Sequence, residues 1–76
     1  MDKAATILAG LGGADNVVEL EPCITRLRGV VRDGSRVDTS MLKAAGAHEV
    51  MQIGNVVQVV VGPTADTLCM DIEDLF

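Results

Sequence analysis

The sequence predicts an α+β domain: a four-stranded antiparallel sheet with three helices packed on one face, in the order α-β-β-α-β-β-α, and the other sheet face open. Three observations predict it. Apolar residues recur at helical spacing near both ends of the chain. Between them lie four short apolar runs rich in Val and Ile, arranged as two pairs around turn signals. The pairs are separated by a short segment with helix-capping residues, so two hairpins alternate with helices.

Asp2 to Leu11 reads as the first helix. Ala4, Ile7, Leu8 and Leu11 follow i, i+3, i+4, i+7, and Gly12-Gly13 ends the segment. Val17 to Leu20 is a short strand, and Glu21-Pro22 a turn signal, because proline cannot continue a central strand. Ile24 to Val31 is the second strand, closed by Asp33-Gly34-Ser35. Asp38-Thr39-Ser40 offers N-caps for a short helix over Met41 to Ala45, with Gly46 at its C-terminal end. Glu49 to Ile53 and Val56 to Val61 flank Gly54-Asn55, a hairpin signal. Gly62-Pro63-Thr64 opens a last helix with an apolar stripe of Ala65, Leu68, Cys69, Ile72, Leu75 and Phe76.

The chain has 76 residues, a single Phe, and neither Trp nor Tyr, which allows one small aliphatic core. A chain of this size buries only about 60% of its unfolded surface, so a deep self-contained active site is not expected. We read residues 1–76 as a single domain whose chemistry is completed by partners. The net charge of −5 and the missing aromatics argue against nucleic acid, which is bound by a basic excess and stacking platforms. The charge is uneven: residues 49–76 hold five acids and no Lys or Arg, whereas Arg26, Arg28 and Arg32 fall close together. No apolar run reaches the roughly 20 residues that span a bilayer, and the N-terminus lacks a signal-peptide layout. Two cysteines and one histidine point to free thiols in a reducing compartment and argue against a metal site. No cofactor is expected.

Alternation along the strands assigns the faces. Ile24, Arg26, Arg28 and Val30 share one face of the second strand, and two arginines cannot both be buried unpaired, so that face is the open one. Gln58 marks the same face of the last strand, with Val56 and Val60 beside it. Gln52 then places Met51 and Ile53 inward. An exposed patch of Val30, Val56, Gln58 and Val60 with two cations is a candidate partner-binding surface, although scattered valines also occur on ordinary solvated sheets.

Cys23 follows Pro22 at the turn into strand two, where a thiol is accessible. Nearby cations favour a thiolate, the nucleophilic form of the sulfur. Backbone N–H groups of the turn and two guanidinium forks suit the oxygens of a phosphoryl group, with Ile24 and Thr25, which follow the cysteine, as candidate phosphate-binding residues. Most free cysteines merely fill apolar space. Cys69, on the helical stripe with no cation near in sequence, is read that way, and His48 is read as surface. A tyrosine-phosphatase loop is excluded because it needs an arginine at position 29, which is Gly. A thioredoxin motif is excluded because position 26 is Arg.

The stretches Ile7-Leu8-Ala9-Gly10-Leu11-Gly12-Gly13, Asp15-Asn16-Val17, Cys23-Ile24-Thr25-Arg26-Leu27-Arg28, Val37-Asp38, Leu42-Lys43, Gly46-Ala47 and Gln58-Val59-Val60-Val61-Gly62-Pro63 carry a resemblance. The chain resembles the IIB domain of the glucose superfamily of bacterial phosphoenolpyruvate-dependent sugar phosphotransferase systems. The resemblance implies a protein-phosphocysteine–sugar phosphotransferase, with the same four-stranded sheet and three helices. Cys23 would accept a phosphoryl group from a IIA phosphohistidine and pass it to a sugar, glucose or N-acetylglucosamine, held by the membrane component IIC. It also implies that Arg26 and Arg28 act mainly in transfer to sugar, that Thr25 hydrogen-bonds the phosphoryl group or shapes the loop, and that the protein works in the cytoplasm at the inner membrane face through IIC. The opening Met favours a separate subunit. Glu21-Pro22 departs from the small residues common before the family cysteine. The alternatives are a non-catalytic regulatory or interaction domain on the same fold and, last, a redox-sensing thiol.

Overall fold

The computed structural model describes residues 2–76. The elements are α1 (Lys3–Gly10), β1 (Val17–Cys23), β2 (Arg26–Val31), α2 (Thr39–Ala44), β3 (Glu49–Ile53), β4 (Val56–Val60) and α3 (Ala65–Glu73), with single 3-10 turns at Ala14–Asn16 and Gly34–Arg36. The sheet is antiparallel, in the order β1-β2-β4-β3. This is the α+β arrangement the sequence predicts, and the central strands β2 and β4 join its two hairpins.

Local chemistry explains the element ends. The Asp2 carboxylate accepts the Ala5 N–H at 2.8 Å and caps α1, and Asp38 accepts the Met41 N–H at 3.0 Å and caps α2. Gly12 and Gly13 stop α1 at φ +104° and +96°, a region that side chains disfavour. The core lies between the helices and the inner sheet face. Ile7 from α1, Leu11 just after it, Leu42 from α2, Ile72 from α3, and Leu27, Val57 and Val59 from the central strands are fully buried.

Three expectations need correction. First, Glu21-Pro22 is not a turn: β1 runs through both residues to Cys23. Proline is tolerated because β1 is an edge strand with one unpaired side. Strand two accordingly begins at Arg26, not Ile24. Second, Met51 and Ile53 point outward; they are 43% and 83% exposed. In register Met51 opposes Gln58, and Val50 opposes the buried Val59. Gln52 is the polar residue on the inner-facing set, and beyond the core it donates to the Gly34 carbonyl at 2.8 Å. Third, α3 ends at Glu73, which leaves Leu75 and Phe76 exposed rather than on the buried stripe.

A bulge at Val18 settles the parity of β1. The register shifts between Val17 and Glu19, so Val17 and Leu20 both pack on the core despite their odd spacing, while Val18 is exposed.

Asn16 is fully buried and polar. Its amide donates to the carbonyls of Leu11 at 2.8 Å and Asp33 at 3.1 Å, and its Oδ1 accepts the Asp33 N–H at 3.0 Å. The side chain therefore staples the end of α1 to the loop after β2. Arg36 closes the same corner on Asp15 at 3.1 Å, and that guanidinium holds the Asp15 carboxyl below its ordinary range. Asn16→Leu strands these backbone groups without partners. It is expected to destabilise the fold by about 3 kcal/mol, checked by urea unfolding; a loss under about 1 kcal/mol would contradict the staple.

Candidate functional site

The register builds the open face as three transverse rows, because directly opposed residues of antiparallel strands point the same way. Row one is Cys23, Arg26, Val60 and Glu49. Row two is Glu21, Arg28, Gln58 and Met51. Row three is Glu19, Val30, Val56 and Ile53. The residues read from the sequence as the site, Cys23, Arg26, Arg28, Gln58, Val30, Val56 and Val60, thus fall on one surface. Met51 and Ile53 join them because β3 has the opposite parity from the one expected.

Cys23 is a free, exposed thiol at the last position of β1, one residue earlier in the hairpin than the sequence suggested. The turn is Ile24-Thr25, and Cys23 opposes Arg26 across it. Neither turn residue has a positive φ, so this is not one of the tight primed turns that match strand twist. By contrast Gly54, at φ +58°, begins the two-residue β3–β4 turn as a glycine should. Ile24 projects from the Cys23 turn with 91% of its surface exposed.

The turn is nonetheless held. The Thr25 carbonyl accepts two backbone N–H groups, from Val61 at 3.0 Å and Gly62 at 2.9 Å. Gly62, at φ +85°, supplies the backbone bend that lets both reach it. The Ile24 and Thr25 amides donate to no protein acceptor among the described residues, so both are available to an incoming anion.

The two arginines are held differently. Arg26 Nη1 donates to Gln58 Oε1 at 2.7 Å, a bond to a neutral amide. Arg28 Nη1 donates to Glu21 Oε1 at 3.1 Å, an ion pair across β1 and β2. Neither partner is legible in the sequence, since both are set by register. A shallow groove of about 350 Å³ lies beside them, lined by Arg28, Met51, Ile53, Val56 and Gln58. A larger depression, about 460 Å³, sits away from Cys23 between the start of α1 and α3.

The other candidates separate from this surface. Cys69 is buried on α3; burial first, then the neighbouring Glu73 carboxylate, pushes its thiol up, which keeps it neutral. His48 is exposed, as expected, and its backbone N–H pairs with Val60. Among the described residues no cluster of three or more His, Cys, Asp or Glu could hold a metal ion. Among the described residues no helix is long and apolar enough to cross a membrane.

Comparison with known proteins fits this geometry. Residues 5–38 match the family model described as phosphotransferase system, EIIB. Over 73 residues the chain is 53% identical to the PTS system N-acetylglucosamine-specific EIIB component of Streptomyces coelicolor, covering 96% of this chain and 95% of that protein. It is 41% identical over 69 residues to the glucoside-specific EIICBA component of Staphylococcus carnosus, and 41% identical over 67 residues to the glucose-specific EIICBA component of Staphylococcus saprophyticus. These alignments cover 91% and 88% of this chain but 10% of each multidomain relative. A solved domain of a Clostridium difficile PTS IIabc component superposes with a TM-score of 0.80 over 97% of this chain and 78% of that one, at 19% identity, which speaks to the fold alone. Near-full-length identity above one half, on an open sheet with an exposed cysteine at its first hairpin, establishes that the chain belongs to the EIIB family of the phosphotransferase system.

Proposed function

We propose that residues 1–76 act as one phosphocysteine carrier domain. In the first step the Cys23 thiolate attacks the phosphorus of a phosphohistidine on a IIA protein. An S–P bond forms, the N–P bond breaks, and the imidazole nitrogen keeps the electron pair. In the second step a hydroxyl of a sugar held by IIC attacks the same phosphorus. The S–P bond breaks, the thiolate leaves, and the hydroxyl proton passes to solvent or a partner base. Phosphoryl transfer depends mostly on positioning and electrostatics, so a small surface with no cavity suffices once each partner brings its half.

The observation that carries this reading is the composition of the first two rows. An exposed sulfur stands opposite Arg26, with Arg28 one row behind and two free turn amides beside it. Ile24 and Thr25 offer those amides to the phosphoryl oxygens. Val30, Val56, Gln58 and Val60, extended by Met51 and Ile53, form the face on which partners dock. The domain then works at the inner membrane surface whenever it engages IIC.

We infer N-acetylglucosamine as the sugar, because the relative at 53% identity carries that specificity in its name while the glucoside and glucose relatives stand at 41%. The test is intact mass after incubation with phosphoenolpyruvate, the general phosphotransferase components and a IIA protein. A gain of one phosphoryl group is expected, discharged by membranes holding an N-acetylglucosamine-type IIC with that sugar. No gain with several IIA donors would favour a regulatory domain on this fold. Discharge only with glucose-type membranes would reassign the sugar.

A further inference from the structure

The two arginines of the open face have partners of unlike charge, and that difference is not explained by the fold. Gln58 holds Arg26 without adding charge, so Arg26 keeps its full field toward row one. Glu21 neutralises Arg28. The side chains of this pair are 42% and 62% exposed, and an ion pair so open to water contributes little to stability. Its place matters more. Glu21 and Cys23 lie two residues apart on the same face of β1, so their Cα atoms are about 7 Å apart. Arg28 opposes Glu21 directly and Cys23 diagonally, within the reach of a long side chain.

We propose that Glu21 is a positioning residue for phosphoryl transfer: its carboxylate holds the Arg28 guanidinium in the unphosphorylated protein and competes for it with the phosphoryl group on Cys23. The inference rests on the reading of Cys23 as the carrier. An S-phosphoryl group with charge near that of a phosphomonoester, about −1.5 to −2, outweighs a single carboxylate. The guanidinium has five donors in a planar fork and turns from one acceptor to the other without leaving the sheet. Arg26 is then a permanent cation of the site and Arg28 a conditional one. When the phosphoryl group departs, Glu21 takes Arg28 back, and the discharged cysteine is left facing a weaker positive field that binds no anion tightly.

Two measurements test this. The first uses alkylation of Cys23 by iodoacetate, an anion, relative to iodoacetamide, its neutral counterpart; buried Cys69 does not interfere. Glu21→Gln frees Arg28 and is expected to raise the anion-to-neutral rate ratio about threefold. In an Arg28→Gln background the same change should move the ratio by less than about 1.5-fold, because the two sites are coupled. Equal rises in both backgrounds would mean that Glu21 acts only by its own charge, and no rise would mean that it does not hold Arg28 from the sulfur. Either result overturns the proposal. Both side chains are open to solvent, Glu21 at 62% and Arg28 at 42%, and neither belongs to the core, so neither variant threatens the fold.

The second measurement is the equilibrium ratio of phosphorylated to free Cys23 against a fixed ratio of phosphorylated to free IIA. Glu21→Gln should raise it about threefold. An unchanged ratio overturns the competition. If Cys23 takes no phosphoryl group in any variant while the alkylation ratios behave as expected, the carrier reading fails and the competition with it, but the hold of Glu21 on Arg28 stands.

Discussion

Cys23→Ser is expected to abolish phosphoryl acceptance and leave the fold intact. The sulfur is replaced by a hydroxyl that stays protonated near neutral pH and lacks the nucleophilicity of a thiolate. Position 23 ends an edge strand, exposed and outside the core, so the substitution removes no packing. The informative control is Cys69→Ser. Cys69 is 2% exposed, with its Sγ 3.9 Å from the Leu20 carbonyl oxygen, among groups that keep it a neutral thiol. That variant should lose some stability, since a buried sulfur becomes a hydroxyl, yet still gain one phosphoryl group. Intact mass decides between them. A phosphorylated Cys23→Ser protein, or loss of the mass gain in Cys69→Ser while it remains folded, would sink the assignment.

Arg26→Lys and Arg28→Lys are expected to slow transfer to the sugar by about 10²–10³-fold, the range seen when one donor to a developing oxyanion is removed. Acceptance from IIA should change far less. Lysine keeps the charge but replaces a planar fork with a compact, mobile ammonium, so bidentate contact with two phosphoryl oxygens is lost. The asymmetry follows from what each partner contributes. The phosphohistidine of IIA contributes an activated N–P bond, whereas the sugar contributes a neutral hydroxyl, a weak nucleophile, and the forks then carry a larger share. Measuring the two half-reactions separately, by mass for acceptance and by sugar phosphate formed from the charged carrier for transfer, checks this. Equal losses in both would contradict the division of labour.

The reading of the fold was accurate where a pattern had many residues to average over. The stripe of α1 and the clean alternation of β4 each involve several side chains, and the structure shows both. It failed where one residue decided. The polarity of Gln52 alone assigns it to the open face, but a five-residue edge strand extends beyond the core, and there a polar side chain on the inner set can reach a carbonyl such as that of Gly34. Pro22 reads as a strand breaker, yet an edge strand has a side on which no N–H is required. Leu75 and Phe76 continued the apolar spacing, but spacing says nothing about where a helix stops.

The site divides along the same line. Cys23, Arg26 and Arg28 were legible because they are contiguous in sequence and chemically unusual together. Gln58, Glu21 and the Thr25 carbonyl acquire their roles only through the pairing of distant segments, from residues up to 37 positions away. Asn16 was visible as part of a motif, but its staple between α1 and the loop after β2 was not, since polar burial leaves no periodic trace.

The tip of a two-residue hairpin is usually among the first places to fray and among the fastest to exchange its neighbours' amides with solvent. The tip beside Cys23 is moored instead by its own carbonyl to Val61 and Gly62, which belong to the other hairpin and the entry to α3. Loosening it therefore means parting segments more than thirty residues apart along the chain. A relay station visited in alternation by two unlike partners gains from such a mooring. The landing point is the same for each visitor, little configurational freedom is surrendered at each docking, and the speed of the relay is left to encounter and chemistry instead of to a loop finding its shape.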